Sequence, residues 1–359
     1  MKERITVKIG SQILTRKDGT LDVTRMSALV DQIAELHKNG TEVILVSSGA
    51  VASGKMEIKV KAKLDTISAR QLYSSIGQVK LINRYSDLFH QQNIVCGQIL
   101  ATKEDFSTRR HYLNQRNCMS VMLDNKVIPI VNENDAISVT GLMFTDNDEM
   151  SGLVAAMMGC KKLIILSNID GIYNGDPSDK NSEIFREIDV KKDNIEDCIQ
   201  SSKSSTGRGG MTTKYNIARK AAEEGIEVII ANGRRDNILI DLMKRKDVVS
   251  THFIPSAKKT TSVKKWIAHS EGFTKGEVYV NQCAREVLLG DKAVSLLPVG
   301  VTKIVGNFEA DDVVRIIDET NGKQIGIGKA AYNSEKAKEV IGKSNKKAII
   351  HYDYLYIEK

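Results

Sequence analysis

The sequence predicts an α/β protein: a three-layer α/β/α sandwich with a mainly parallel sheet, followed by a small β-barrel-like C-terminal domain. Three observations point there. Short runs rich in Val and Ile, with no polar alternation, recur up to about residue 255 and suit strands covered on both faces. Amphipathic stretches of helical period separate them, as in βαβ units. Beyond that point the texture changes to short β-like runs with frequent glycine. The expected organisation is a catalytic domain over 1–255, a polar, basic linker over 256–270 and a second domain over 271–359.

In chain order the strand candidates are ITVKIG (5–10), EVILVS (42–47), IVCGQIL (94–100), VIPIV (127–131), KLIILS (162–167) and EVIIAN (227–232). Between the first two, Val23, Met26, Leu29, Val30, Ile33 and Leu36 recur at three- and four-residue steps, with Asp22 as a cap and Gly40 as a stop. Further helices are expected near 66–91, 104–125, 147–160 and 212–225. The second domain offers GEVYVN, VTKIVGNF, DVVRIID, GKQIGIGKA and KAIIHYDYLYI as strands, with a helix near 334–342.

The strand runs end in GSQ, SSGA, NENDA, SNIDG and ANG, all small, polar or acidic. Ligands of open α/β sheets bind outside the carboxyl ends of the strands, so these exits describe one sizeable polar site. Within it, Lys8 is a charge inside an apolar strand, costly to bury unless paired; it either reaches solvent at the strand exit or stands at the sheet edge with Lys214, two cations flanking one anion-rich site. The loop GRGGMTTK (207–214) lacks the glycine directly before lysine that a Walker A loop needs. Its glycines can still turn amides inward, a helix starting at Thr212 or Thr213 adds donors, and Lys214 adds a point charge. A plain flexible loop before an amphipathic helix fits the same residues. Asp135, Asn147 and Asp148 lie at or near helix starts, where they serve as caps or as site residues.

Apolar residues make up 41% and charged residues 27% of the 359, an ordinary globular balance. No apolar run is long enough to span a membrane, and MKERITVKIG passes at once into a strand, so no secretory leader is expected. Five cysteines without a Cys-x-x-Cys pair suggest reduced thiols in the cytoplasm and no structural metal site. The net charge of +7 suits anionic small substrates and is weak for nucleic acid.

Taken together, VKIGSQIL, VSSGAVASG, ARQLYSSIGQ, VIPIVNENDA, DNDEMSGLVA, DGIYNGDP and GRGGMTTK resemble, in order, the amino acid kinase family, and within it the glutamate 5-kinases. LLPVGVTKIVGNFEADDVVRI and GIGKAAYNS resemble the PUA domain many of those kinases carry. The resemblance implies transfer of the ATP γ-phosphoryl group to the side-chain carboxylate of L-glutamate, the first step of proline biosynthesis. It implies that Lys8 and Lys214 neutralise the moving group, that Asp148 orients them, and that Ser48, Asp135 and Asn147 contact the substrate. ATP would be held by Lys8, Ser167 and Asn168 and by Arg208, Gly209, Gly210, Met211, Thr212, Thr213 and Lys214, with Mg2+ accompanying it. Two departures stand out: Ser167-Asn168 replaces the family's frequent Thr-Asp, and Arg208 replaces a threonine.

The resemblance further implies feedback inhibition by proline, sought around 55–68, a homodimer or homotetramer, and hand-over of a labile product to a glutamyl phosphate reductase. Other members of the family, acting on acetylglutamate, aspartate or UMP, are the nearest alternatives. An RNA-binding PUA protein is the alternative from another class, with Tyr352, Tyr354 and Tyr356 expected to alternate along a strand. The modest charge of 256–359, 17 Lys and Arg against 13 Asp and Glu, speaks against RNA.

Overall fold

A computed structural model of the chain describes residues 2–58, 60, 63–106, 109–138, 144, 147–177, 179, 181–192, 195, 199, 210–256, 267, 274–290 and 294–357. It divides into two compact units, Met1–Lys103 with Asn114–Lys259 and Glu104–Leu113 with Thr260–Lys359. Residues 104–113, which chain order assigns to the first segment, group with the second unit. Of the expected linker, only Ser256 and Ile267 are described.

The first unit is built on an eight-stranded sheet of order β3-β4-β2-β1-β5-β7-β8-β6. Its strands are β1 (Arg4–Ile9), β2 (Glu42–Ser47), β3 (Cys96–Ala101), β4 (Ile128–Glu133), β5 (Lys162–Ser167), β6 (Glu187–Ile188), β7 (Glu227–Asn232) and β8 (Ser250–Phe253). Neighbours pair in parallel except β7 and β8. β1 is central: the chain leaves it toward β2 on one side and returns to β5 on the other. That reversal opens a crevice at the carboxyl ends of β1 and β5.

Side chains alternate across a strand, and β1 shows the consequence. Ile5, Val7 and Ile9 pack into a core with Leu29 and Ile33 of α2 (Val23–Lys38), Leu81 and Phe89 of α4 (Thr66–Gln91) and Leu239 of Ile238–Met243. Thr6 and Lys8 point to the opposite face, where Thr6 Oγ meets Cys160 Sγ at 3.3 Å. That face carries α6 (Asn147–Met158), in contact with β1, β5 and β2, and the helix packed on it, α7 (Met211–Glu223). Further helices are the one-turn α1 (Ser11–Leu14), α3 (Ala50–Glu57), α5 (Arg109–Asp124) and α8 (Ile238–Met243). Asp22 caps α2 by accepting from Arg25 N at 3.1 Å.

Helices α3 and α4 meet through glycine. A Cβ on Gly77 would lie 1.8 Å from the Ala50 carbonyl oxygen, and one on Gly54 would lie 1.8 Å from that of Tyr73. Any larger residue at either position would drive the two backbones apart.

The second unit has its own core and a five-stranded sheet of order β10-β9-β11-β12-β13. The strands are β9 (Gly276–Val280), β10 (Val301–Gly306), β11 (Val313–Asp318), β12 (Gln324–Lys329) and β13 (Leu355–Ile357), all antiparallel neighbours except β9 and β11. Helix α10 (Ser334–Val340) stands where one is expected, whereas α9 (Gln282–Leu289), capped by Asn281 accepting from Ala284 N at 2.8 Å, is unforeseen. The run expected as a strand through Tyr352, Tyr354 and Tyr356 is corrected. Tyr352–Tyr354 form a 3-10 turn, with His351 accepting from Asp353 N, and only Tyr356 lies in β13. A turn at that place removes the shared face that alternation would give three tyrosines. Among the described residues, no helix is long and apolar enough to cross a membrane.

Candidate active site

Lys8 is the fifth residue of β1, in register with Val46 of β2 and Ile165 of β5. Its side chain is 7% exposed, and its ammonium pairs with Asp148 Oδ1. Lys214, in the first turn of α7, pairs with the other oxygen, Oδ2, at 3.0 Å. Two cations from opposite ends of the unit's sequence are thus brought together on one carboxylate that is 1% exposed. Lys8 is therefore buried and stands with Lys214, and does not reach solvent at the strand end. Burial alone would raise the Asp148 carboxyl, but Lys8 and Lys214 together outweigh it and hold the group below the usual carboxylate range.

Gly10, just past β1, lets the chain pass close to this cluster. A Cβ there would come within 3.3 Å of the Leu166 carbonyl oxygen and 3.6 Å of Lys8 Nζ. On the β5 side, Ser167 is the buried last residue of its strand and Asn168 the exposed residue after it, with Ser167 Oγ 3.4 Å from Asn168 Oδ1. Gly210 is the N-cap of α7; Met211 is buried, Thr212 exposed and Thr213 half-buried. Arg208 and Gly209 lie outside the described residues.

On the other flank, α6 begins with Asn147 beside the exits of β2 and β4. Its Nδ2 lies 2.9 Å from Ser48 Oγ, 3.0 Å from the Ser47 carbonyl and 3.0 Å from Asn132 Oδ1. Ser48 is held in turn through its amide, which donates to Ile9 O at 3.2 Å. The next residue, Gly49, takes φ 107° to enter α3, a conformation that favours glycine. Asp135 follows β4 in a turn, where it accepts from Arg70 Nε at 2.7 Å.

Sequence reasoning named Ser48, Asp135 and Asn147 but missed the residues that hold them. Arg70 of α4 also donates to Glu133 Oε2 at 2.8 Å, and Gln78 Oε1 accepts from Asn132 Nδ2 at 2.8 Å. Glu133 is nearly enclosed, and Phe144 N donates to its Oε1 at 3.0 Å. Burial first and the Asp135 charge second push its carboxyl above the usual range, against the pull of Arg70. Arg70, Ser74 and Gln78 fall at i, i+4 and i+8, a polar spacing on an already polar stretch of helix that does not single Arg70 out.

The carboxyl ends of the strands thus carry a two-lysine cluster at the centre, glycine just past β1, and an amide- and carboxylate-rich cluster on the β2 and β4 side. The chain matches the amino acid kinase family over residues 3–232 and a PUA domain over 276–352. The chain belongs to the amino acid kinase family. Among its relatives, this kinase-family chain is 65% identical over 356 residues to a glutamate 5-kinase of Bacteroides thetaiotaomicron, covering 99% of this chain and 98% of that one. It is 45% identical to a glutamate 5-kinase of Chlorobaculum tepidum, covering 99% and 97%. It is 36% identical to one of Vibrio vulnificus, covering 98% and 92%.

Proposed function

We propose that the protein is a glutamate 5-kinase, moving the γ-phosphoryl group of ATP to the side-chain carboxylate of L-glutamate to give L-glutamyl 5-phosphate. The reading rests above all on the Lys8–Asp148–Lys214 cluster, set between the two halves of the crevice. A carboxylate acceptor, with a free pKa of about 4.3, is already ionised at neutral pH and needs no general base. One of its oxygens attacks the γ-phosphorus in line, the bond to the bridging oxygen breaks, and ADP leaves with that oxygen's negative charge.

The physical difficulty is repulsion. Like unit charges about 4 Å apart repel by about 4 kcal/mol at an effective dielectric near 20. Lys8 and Lys214 supply positive charge where the phosphoryl group passes, and Asp148 keeps both ammonium groups aimed at one place. Ser48, Asn147 and Asp135 bind the acceptor. Ser167, Asn168 and the Gly210 end of α7 hold the nucleotide, with Arg208 and Gly209 of the same loop.

Among the described residues, no group of three or more His, Cys, Asp and Glu side chains forms a ligand set for a metal. Asp148 is already committed to two lysines. That donor chemistry suits Mg2+ arriving on the triphosphate rather than in a protein cage, where it would neutralise phosphate charge.

Proline biosynthesis is the pathway this activity would serve. Proline as an inhibitor near the acceptor pocket, a homodimer or homotetramer, a cytoplasmic setting and product hand-over to a glutamyl phosphate reductase belong to the same proposal. Within 55–68, residues 59, 61 and 62 lie outside those described, and Asp65 caps α4 through Ile67 N and Ser68 N.

The deciding experiment is ADP release with glutamate, N-acetylglutamate, aspartate and UMP as acceptors, with and without proline. Preference for glutamate is expected, and preference for another acceptor would overturn the assignment.

A further inference from the structure

Glu133 and Asp135 stand two residues apart at the exit of β4, and both side chains are buried, at 2% and 9% exposed. Two adjacent buried carboxylates repel and favour taking up a proton. Arg70 reaches them from α4 and is shared by both: Nε and one terminal nitrogen engage Asp135 Oδ1, while that same terminal nitrogen reaches Glu133 Oε2. Two donors of one planar guanidinium thus converge on a single oxygen and fix the place of Asp135 Oδ1. Together the three groups carry one net negative charge, beside Ser48 and Asn147.

We propose that Arg70 is a positioning residue for acceptor selection, holding the Glu133–Asp135 pair oriented and at one net negative charge so that the pocket takes acceptors with a free α-ammonium and rejects N-acylated ones. The inference rests on the glutamate reading above and adds how that substrate is told apart from its acylated relative. An ammonium beside Asp135 meets the net negative charge of these three groups, and an N-acyl amide brings no positive charge to it.

The test is steady-state kinetics on the full chain with L-glutamate and N-acetyl-L-glutamate, for wild type, Arg70→Gln, Arg70→Lys, Glu133→Gln and the double variant Arg70→Gln/Glu133→Gln. Arg70→Gln removes charge-assisted hydrogen bonds, so KM for glutamate rises about tenfold or more while KM for ATP stays within about twofold. Glu133→Gln brings the cluster to zero net charge and also raises KM for glutamate. The double variant restores one negative charge but not the orienting hydrogen bonds, so its KM falls below that of Arg70→Gln and stays above wild type. Arg70→Lys keeps the charge and most of the affinity.

A double variant no better than Arg70→Gln, or an Arg70→Gln enzyme with unchanged KM for glutamate, would overturn the inference alone. A wild-type enzyme that prefers N-acetylglutamate would overturn both the inference and the glutamate reading. Should Arg70→Gln fail to fold, Glu133→Gln still decides: an unchanged KM for glutamate refutes the charge argument.

Discussion

Replacing Asp148 by asparagine tests the centre of the site with almost no change in shape. Asp148 is 1% exposed and faces two ammonium groups that are 7% and 11% exposed. The Lys214 contact at 3.0 Å corresponds to about 5.5 kcal/mol of attraction at an effective dielectric of 20, before the cost of dehydration is counted. The amide offers one lone-pair-bearing oxygen to one lysine and turns N–H groups toward the other. Breaking a buried pair by removing one partner costs about 3–5 kcal/mol, because the other charge is left uncompensated. For a unit of this size that is a fall in Tm of order 10 °C.

Nucleotide changes the sign of the problem. If the two lysines grip the triphosphate, its anionic charge replaces the missing carboxylate. ATP therefore raises the Tm of Asp148→Asn by more than it raises that of wild type. Thermal melts with and without ATP, followed by circular dichroism, measure both quantities. A Tm within about 2 °C of wild type, or equal ATP shifts in the two proteins, would show that Asp148 does not compensate these charges.

Other expectations concern single positions. Lys8→Ala and Lys214→Ala each leave Asp148 with one ammonium, so both variants fold and lose turnover; a folded variant retaining most activity in the ADP-release assay would remove that lysine from the chemistry. Gly77→Ala places a methyl 1.8 Å from the Ala50 carbonyl and destabilises by about 3 kcal/mol or more in urea titration, whereas Gly159→Ala, with nothing within 4 Å and φ 64°, costs about 1 kcal/mol from backbone strain. As pH falls through the raised pKa of Glu133, the cluster with Arg70 and Asp135 loses its net charge and KM for glutamate climbs; a glutamate KM that is flat across that range would contradict it. Stability runs with opposite signs at the two buried carboxylates. The raised Glu133 contributes stability below its unfolded pKa that is lost as pH rises through the folded value. The lowered Asp148 contributes above its unfolded pKa and loses it only as pH falls through a folded value below the carboxylate range.

The central strands were legible because burial on both faces leaves apolar runs that nothing else in a soluble chain requires. EVILVS, KLIILS and EVIIAN form strands over the residues expected. The edge was not legible: STHF of β8 is short and carries a half-exposed His252, and β6 is two residues long. Helix α9, capped by Asn281, was hidden among glycine-rich strand-like runs whose texture dominated the local pattern.

In the site, Lys8 announced itself as a charge inside an apolar strand, and its burial beside Asp148 is what that anomaly required. Arg70 announced nothing comparable, because an arginine on a helix is ordinary until its partners are known. They stand 63 and 65 residues further along the chain, a separation no local periodicity encodes.

The glycine crossing of α3 and α4 has a consequence for how this pocket can change. Backbone against backbone leaves no slack for sliding or tilting, so the Gly49 turn, with Gln78 beside it, and Arg70 toward the other end of the crossing form a single rigid wall. Such a wall cannot be widened by degrees to admit a bulkier acceptor. New substrate preference along it has to come from exchanging the side chains it displays, with the frame left as it is.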